Sequence, residues 1–341
     1  MSTPYLQVEN LTVRLRSSDG VVRAVNDLSF SVARGRTLGI VGESGSGKTV
    51  TGLAVLGLHD ARKAEIGGRI LVDGTDLQAL PERERRRLRG GDLAMIFQDP
   101  LSALHPYYTV GRQIIEAHRT HDAGVGRAAA RRHAIDLLGR VGIPQPQRRI
   151  DQYPHEFSGG MRQRAMIAMA LVNNPKVLIA DEPTTALDVT VQAQILDLLA
   201  DLQREFQSAI IMITHDLGVV RQVAHDVLVM YGGRAVEHGS AAQVLGDPQH
   251  PYTWGLLASV PSLTGPVTDD LVPIPGNPPS LVHLPAGCAF HPRCRFAGRT
   301  GGASRERVPE LLVSGEPGHL AACHLPAADR RAARTETGVS A

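Results

Sequence analysis

No apolar run in this chain approaches the roughly 20 residues needed to cross a hydrocarbon core; the longest, Ala165 to Val172, falls far short. Cysteine is scarce, with 3 in 341 residues, so a disulfide scaffold is excluded. Neither sign of charge dominates: 36 Lys+Arg against 34 Asp+Glu leave a net charge of +2. That balance argues against a dedicated binder of nucleic acid or other polyanions. The opening Met1-Ser2-Thr3-Pro4 lacks a basic segment followed by an apolar one, so no secretion signal is expected. These absences suggest a soluble, cytoplasmic chain. What is present is a hydrophobic content of 43%, enough to build a core. The length suggests about two domains, or one large domain with an appendage.

Up to about residue 230, short β-branched apolar runs alternate with helical patterns. Thr37–Val41, Leu93–Phe97, Val177–Ala180 and Ala209–Ile213 are apolar on both faces, as central strands of a covered, largely parallel sheet must be. Between the last two, Val189–Phe206 carries Ile195, Leu198, Leu199 and Leu202 at helical spacing. The fold class expected is α/β. After Gly246 the texture changes, and Pro248, Pro251, Pro261, Pro266, Pro273, Pro275, Pro278, Pro279 and Pro285 predict a small irregular domain. The stretch 327–341, small and polar, is expected to fray as a disordered tail.

The strongest chemical signal is Gly42-Glu43-Ser44-Gly45-Ser46-Gly47-Lys48-Thr49, a full G-x-x-x-x-G-K-[ST] match placed between an apolar strand run and a helical one. Its glycines let successive N–H groups face phosphate oxygens, and the helix N-terminus adds its dipole. Lys48 brings a point charge to the β/γ phosphates, and the Thr49 hydroxyl is placed to ligate Mg²⁺. A second signal agrees: the run Val177–Ala180 ends in Asp181-Glu182, two carboxylates at the strand end where ligands bind in open α/β sheets. Asp181 would hold the Mg²⁺ shell and Glu182 would polarise an attacking water. Gln98 and His215 also follow apolar runs; Gln98 could orient water or bind Mg²⁺, and His215 could hydrogen-bond a γ-phosphate. Ser158-Gly159-Gly160-Met161 opens a helix with bare N–H groups at its positive end, a second anion site that would complete the site of another chain.

In their order along the chain, the phosphate loop, Gln98, Phe157-Ser158-Gly159-Gly160, Asp181-Glu182, Ala186-Leu187-Asp188 and His215 resemble the nucleotide-binding subunit of an ABC transporter. Gln98–Leu104, Phe157–Arg164, Asp181–Thr190 and His250-Pro251-Tyr252-Thr253 are similar to the oligopeptide/dipeptide importer group, and Met161 with Thr184-Thr185 to its D-type ATPase. The resemblance implies a P-loop ATPase fold over residues 1–246 with a helical signature subdomain at about 100–175, and a transporter-type C-terminal domain over 247–326. It implies ATP and Mg²⁺, with Thr49, Gln98 and Asp181 as metal ligands, Glu182, His215 and Gln98 as catalytic residues, and Ala186-Leu187-Asp188 as the D-loop. A second, F-type ATPase, two transmembrane permeases and an extracytoplasmic solute-binding protein are the implied partners, with no nucleic acid. The location it implies is the cytoplasmic face of the cell membrane. Peptides are the implied cargo; nickel or another small solute is the alternative within the family. A soluble ABC ATPase of DNA repair or translation would instead carry a long coiled coil or tandem nucleotide domains, which this sequence lacks.

Three features depart from the pattern or stand outside it. The segment Ser17–Arg23, where such ATPases stack adenine on an aromatic ring, has no aromatic residue; Val22 or Arg23 would have to pack on the base. Cys288, Cys294 and Cys323 are similar to a family region where four cysteines hold an iron–sulfur cluster, but the fourth position falls on Gly301 or Ser304. A cluster completed by another group, a zinc site with His291 or His324, and three reduced thiols all remain open. Finally, Glu82–Arg89 is expected to be a solvated helix face with i,i+3 and i,i+4 ion pairs rather than a lipid or nucleic-acid contact.

Overall fold

A computed structural model describes residues 4–185, 187–259 and 273–337. In chain order its strands are β1 (Pro4–Ser17), β2 (Gly20–Ala33), β3 (Thr37–Val41), β4 (Ala64–Val72), β5 (Thr75–Asp76) and β6 (Leu93–Ile96), then β7 (Val177–Asp181), β8 (Ala209–Thr214), β9 (Asp226–Tyr231), β10 (Arg234–Ser240), β11 (Leu312–Val313) and β12 (Leu320–Ala321). The chain forms two compact units. The first comprises Met1–Leu6, Val32–Arg36 and Leu71–Met212; the second comprises Gln7–Ser31, Thr37–Ile70 and Ile213–Ala341.

In the first unit, β6 and β7 pair in parallel, Leu93 opposite Val177 through Ile96 opposite Ala180. Every residue of both strands is buried, as their apolar-on-both-faces sequences require. Helices Val110–His121, Arg127–Arg140 and Gly159–Leu171 pack on one another, burying Ile114, Leu138 and Ala168 among others. Helix Val189–Phe206 takes the expected bounds and buries Ile195, Leu196, Leu199 and Leu202. Helix Glu82–Leu88 buries none of its residues, and Glu82 pairs with Arg85 at 3.2 Å and with Arg89 at 2.7 Å, so the charge run is the solvated face its sequence predicts.

In the second unit, β3 pairs in parallel with β9, Leu38 opposite Asp226 through Val41 opposite Val229. β9 pairs antiparallel with β10, and β10 antiparallel with the short β12. Val41, at the end of β3, shares one apolar cluster with Val229, Tyr231, Tyr252 and Phe290. The C-terminal segment therefore supplies side chains to the core directly beneath the end of β3. A second cluster gathers Trp254, Phe296, Leu325 and Ala333. Trp254, the only tryptophan, is fully buried, and its indole N–H donates to the Pro248 carbonyl at 2.8 Å, the partner a buried indole needs.

The expectation of a disordered tail over 327–341 is corrected for Ala327–Thr335, which is helical. Arg330 donates to the carbonyls of Leu325 (2.9 Å) and Cys323 (3.0 Å), Arg334 pairs with Asp247 at 2.7 Å, and Ala333 is fully buried. A composition too polar for a hydrophobic stripe is held instead by arginines that cap carbonyl groups. Residues 338–341 of that expected tail lie outside the described residues.

Candidate functional site

The first group of site residues lies in the second unit. β3 delivers the chain into a loop where Gly42, Gly45 and Gly47 all have positive φ, at 153°, 77° and 102°. At two of these positions space is also closed to a side chain: a Cβ on Gly42 would sit 2.3 Å from the Met230 carbonyl oxygen, and one on Gly47 2.3 Å from that of Ala24. The sequence pattern of glycines thus has a local cause in both conformation and packing. Helix Lys48–Val55 follows, with Gly47 at its N-cap. Lys48 is buried, and its Nζ donates to the carbonyls of Gly42 (2.6 Å) and Glu43 (2.9 Å). Ser46 Oγ is buried and has no hydrogen-bond partner among the described residues, while Ser44, Gly45 and Thr49 are exposed. A glycine cradle, an ammonium over it and an unsatisfied hydroxyl fit a phosphate group.

Glu43 is gripped more tightly than its place in the motif predicts. Its carboxylate takes two parallel bonds from Arg293, at 2.6 and 3.0 Å, and its N–H donates to the Tyr252 hydroxyl at 2.7 Å. Neither Arg293 nor Tyr252 stands out in the sequence as a partner of this loop, because each lies more than two hundred residues away from it. His215, also in the second unit, is exposed just past β8, and the next residue, Asp216, caps helix Leu217–Val223 through Gly218 N–H at 2.8 Å.

The second group lies in the first unit. β7 ends in Asp181, which is buried, and the following Glu182 adopts φ 46°. A left-handed glutamate is strained and persists only where its surroundings over-determine it. Here Gln98 Nε2 and Thr185 Oγ1 both donate to the same Glu182 oxygen, each at 2.9 Å. Two donors on one oxygen hold the carboxylate in a fixed orientation. Gln163, buried on helix Gly159–Leu171, donates to the Pro183 carbonyl at 2.6 Å, so the turn after β7 is fixed on that side as well. Gln98 was legible as a strand-end residue; Thr185 and Gln163 carry no signal of these roles beyond standing next to recognised motifs.

Ser158 caps helix Gly159–Leu171 as predicted, accepting from Met161 N–H at 3.3 Å. Ser158 and Gly159 are exposed, and a Cβ on Gly159 would meet nothing within 4 Å, so the helix start is open to an approaching group. Asp188 caps helix Val189–Phe206 through Val191 N–H at 2.9 Å, and Leu187 N–H donates to Thr184 at 3.2 Å. Ala186 of the D-loop lies outside the described residues. In the segment where adenine would stack, Val22 is half-buried and Arg23 is exposed.

Cys288, Cys294 and Cys323 line one cavity together with His250, His291, His324 and Ser304. Of the two candidate positions for the missing fourth cysteine, Ser304 is among the residues lining this cavity. Burial pushes the Cys288 and Cys294 thiols up to about 11 and raises that of Cys323. Ser304 Oγ is engaged with Thr300 Oγ1 at 2.9 Å, and Nδ1 of His291 with the Cys288 carbonyl at 3.0 Å. Among the described residues no three His, Cys, Asp or Glu side chains converge in a way that could hold a metal ion. Three thiols and a hydrogen-bonded serine fall one thiolate short of a four-thiolate cluster, and among the described residues they are not arranged as a zinc site.

Residues 25–185 match the ABC transporter family, and residues 236–300 match the oligopeptide/dipeptide transporter C-terminal region. The oligopeptide transport ATP-binding protein OppD of Haemophilus influenzae is 50% identical over 95% of this chain and 98% of its own length. OppD of Salmonella typhimurium is 51% identical over 94% and 93%, respectively. Among solved structures, the dimeric ATP-binding cassette MJ0796 bound to ADP and Pi superposes with a TM-score of 0.63 at 24% identity, covering 69% of this chain and 98% of that one; it speaks to the fold. The cbiO1 subunit from Clostridium perfringens, part of the transporter complex cbiONQ, is 30% identical with a TM-score of 0.59 over 71% of this chain and 90% of that one. With the phosphate loop, the strand-end carboxylates and the signature helix already in place, this chain belongs to the ATP-binding subunits of ABC transporters, in the oligopeptide/dipeptide group.

Proposed function

We propose that this chain hydrolyses ATP to drive an importer of oligopeptides or dipeptides, as a peripheral subunit on the cytoplasmic face of the membrane. The carrying observation is Glu182, a strained carboxylate fixed by Gln98 and Thr185 at the end of β7. A general base must be aimed before substrate arrives, and two donors hold this carboxylate in place. Gly42–Thr49 cradles the phosphates, with Lys48 countering their charge. The family resemblance assigns Mg²⁺ to Thr49, Gln98 and Asp181, whose hydroxyl, amide and carboxylate oxygens are hard donors of the kind that ion prefers. The chemistry a bound Mg²⁺ would supply there is neutralisation of phosphate charge. His215 accepts the role of γ-phosphate contact, and Ser158, Gly159, Gly160 and Met161 serve the nucleotide of a second, F-type ATPase, with Ala186-Leu187-Asp188 at that junction. The proposed division is 1–246 as the ATPase module and 247–326 as the transporter-specific one; the family matches cover 25–185 and 236–300. The ATP chemistry needs no group at the three thiols.

Pull-down of the tagged chain from native membranes, with mass spectrometry of what co-purifies, tests this assembly. Two polytopic permeases and a second ATPase are expected, with a solute-binding protein encoded for the same complex. Ribosomal or DNA-repair proteins in their place would overturn the transport assignment.

A further inference from the structure

Glu43, the second residue of the phosphate loop, is the hub of a small network within the second unit. Its carbonyl accepts from Lys48 Nζ (2.9 Å) and from Ser46 N–H (3.2 Å), so both the loop's cation and its curvature lean on Glu43. Its other two polar groups face away along the chain: the N–H to Tyr252, and the carboxylate to Arg293. Arg293 is itself pinned. Nε donates to the Pro275 carbonyl at 2.8 Å, and the two terminal nitrogens reach Tyr231 Oη at 3.3 Å and the Ile274 carbonyl at 3.2 Å.

We propose that Arg293 is a positioning residue for nucleotide binding: it fixes Glu43 through a bidentate pair and cancels a carboxylate that would otherwise repel the ATP phosphates. This rests on the ATP assignment of the loop. Exposed ion pairs contribute little, and Arg14–Glu65, with side chains 53% and 69% exposed, is of that kind. Arg293 and Glu43 are 5% and 26% exposed, and the geometry is the planar fork that lysine cannot reproduce. Removing the guanidinium leaves a half-buried, unpaired carboxylate in the loop that must receive a polyanion. It also releases the side chain of the residue whose carbonyl accepts from Lys48. The phosphate site is thus preorganised by a residue of the C-terminal segment, outside the matched ABC region of 25–185.

Equilibrium titration of the full-length chain with a fluorescent ATP analogue and Mg²⁺, paired with the melting temperature of each sample, tests this. Arg293→Ala should raise Kd by about tenfold or more, with Arg293→Lys in between. Adding Glu43→Gln to Arg293→Ala should recover much of the lost affinity, because the repelling charge goes with it; a merely structural role would give no such recovery. Wild-type Kd in Arg293→Ala, or a double variant no better than the single, would overturn the proposal. Should Arg293→Ala fail to fold, Arg293→Lys carries the test, and a Kd equal to wild type in that variant would overturn it. A wild-type chain that binds no ATP would instead refute the ATP assignment itself.

Discussion

At the scale of single residues, the chemistry divides between holding phosphate and activating water. Replacing Glu182 with Gln removes the base but keeps its two donors satisfied, so ATP turnover should fall by about 100-fold or more while ATP binding persists. Phosphate release and retained nucleotide, measured on the same assembled complex, check this, and rapid turnover by the variant would sink the assignment. Lys48→Ala removes the ammonium over the glycine cradle, and ATP affinity should drop by about tenfold or more; calorimetry showing unchanged affinity would count against the loop's role. Gly47 is constrained twice, by φ 102° and by the 2.3 Å approach of the Ala24 carbonyl, so Gly47→Ala should cost about 1–3 kcal/mol of stability, read as a lower melting temperature. The thiols give a pH signature. Burial raises Cys288 and Cys294 from 9.0 to about 11, so the folded state favours the neutral form. Their stabilising contribution is full below pH 9 and is lost as pH rises through about 11. Alkylation of these two residues, followed site by site, should accordingly keep accelerating between pH 9 and 11, and a plateau at the lower end would show that the thiols ionise normally.

At the scale of elements, the helix Ala327–Thr335 illustrates where sequence reading stops. Strands β3, β7 and β8 and helix Val189–Phe206 are legible because their signals are local: unbroken apolar runs, or apolar residues at helical spacing. The phosphate loop is legible for the same reason, since backbone conformation demands its glycines. Ala327–Thr335 has no apolar stripe; it is fixed by Arg330 reaching the Leu325 and Cys323 carbonyls and by Arg334 reaching Asp247. Side chains that bond carbonyls off the helix, or a carboxylate 87 residues away, leave no periodic trace. The same holds for Arg293 and Glu43, and for β11 and β12, whose two-residue strands exist only because β10 offers an edge. Arg330→Ala should strip three acceptors of their donor and cost about 1–3 kcal/mol. A thermal melt indistinguishable from wild type would show that the helix is held by Ala333 and its apolar neighbours alone.

At the scale of the whole molecule, hydrolysis has to be converted into movement of cargo, and a ligand shifts a two-state element only by its differential affinity for the two states. No helix among the described residues is long and apolar enough to cross a membrane. In the proposed pairing with a second ATPase, the exposed N-terminus of helix Gly159–Leu171 and the Asp188-capped start of helix Val189–Phe206 would face that partner. Ligation of ATP across such a pair would close it, and hydrolysis at Glu182 would reset it. The most direct measurement is peptide uptake into proteoliposomes holding the complete transporter, with ATP inside the compartment that this chain faces. Wild type should accumulate peptide only with hydrolysable ATP, and Glu182→Gln should abolish uptake while the complex stays assembled with nucleotide bound. Uptake that proceeds undiminished in the Glu182→Gln transporter, with its partner ATPase equally disabled, would contradict the account.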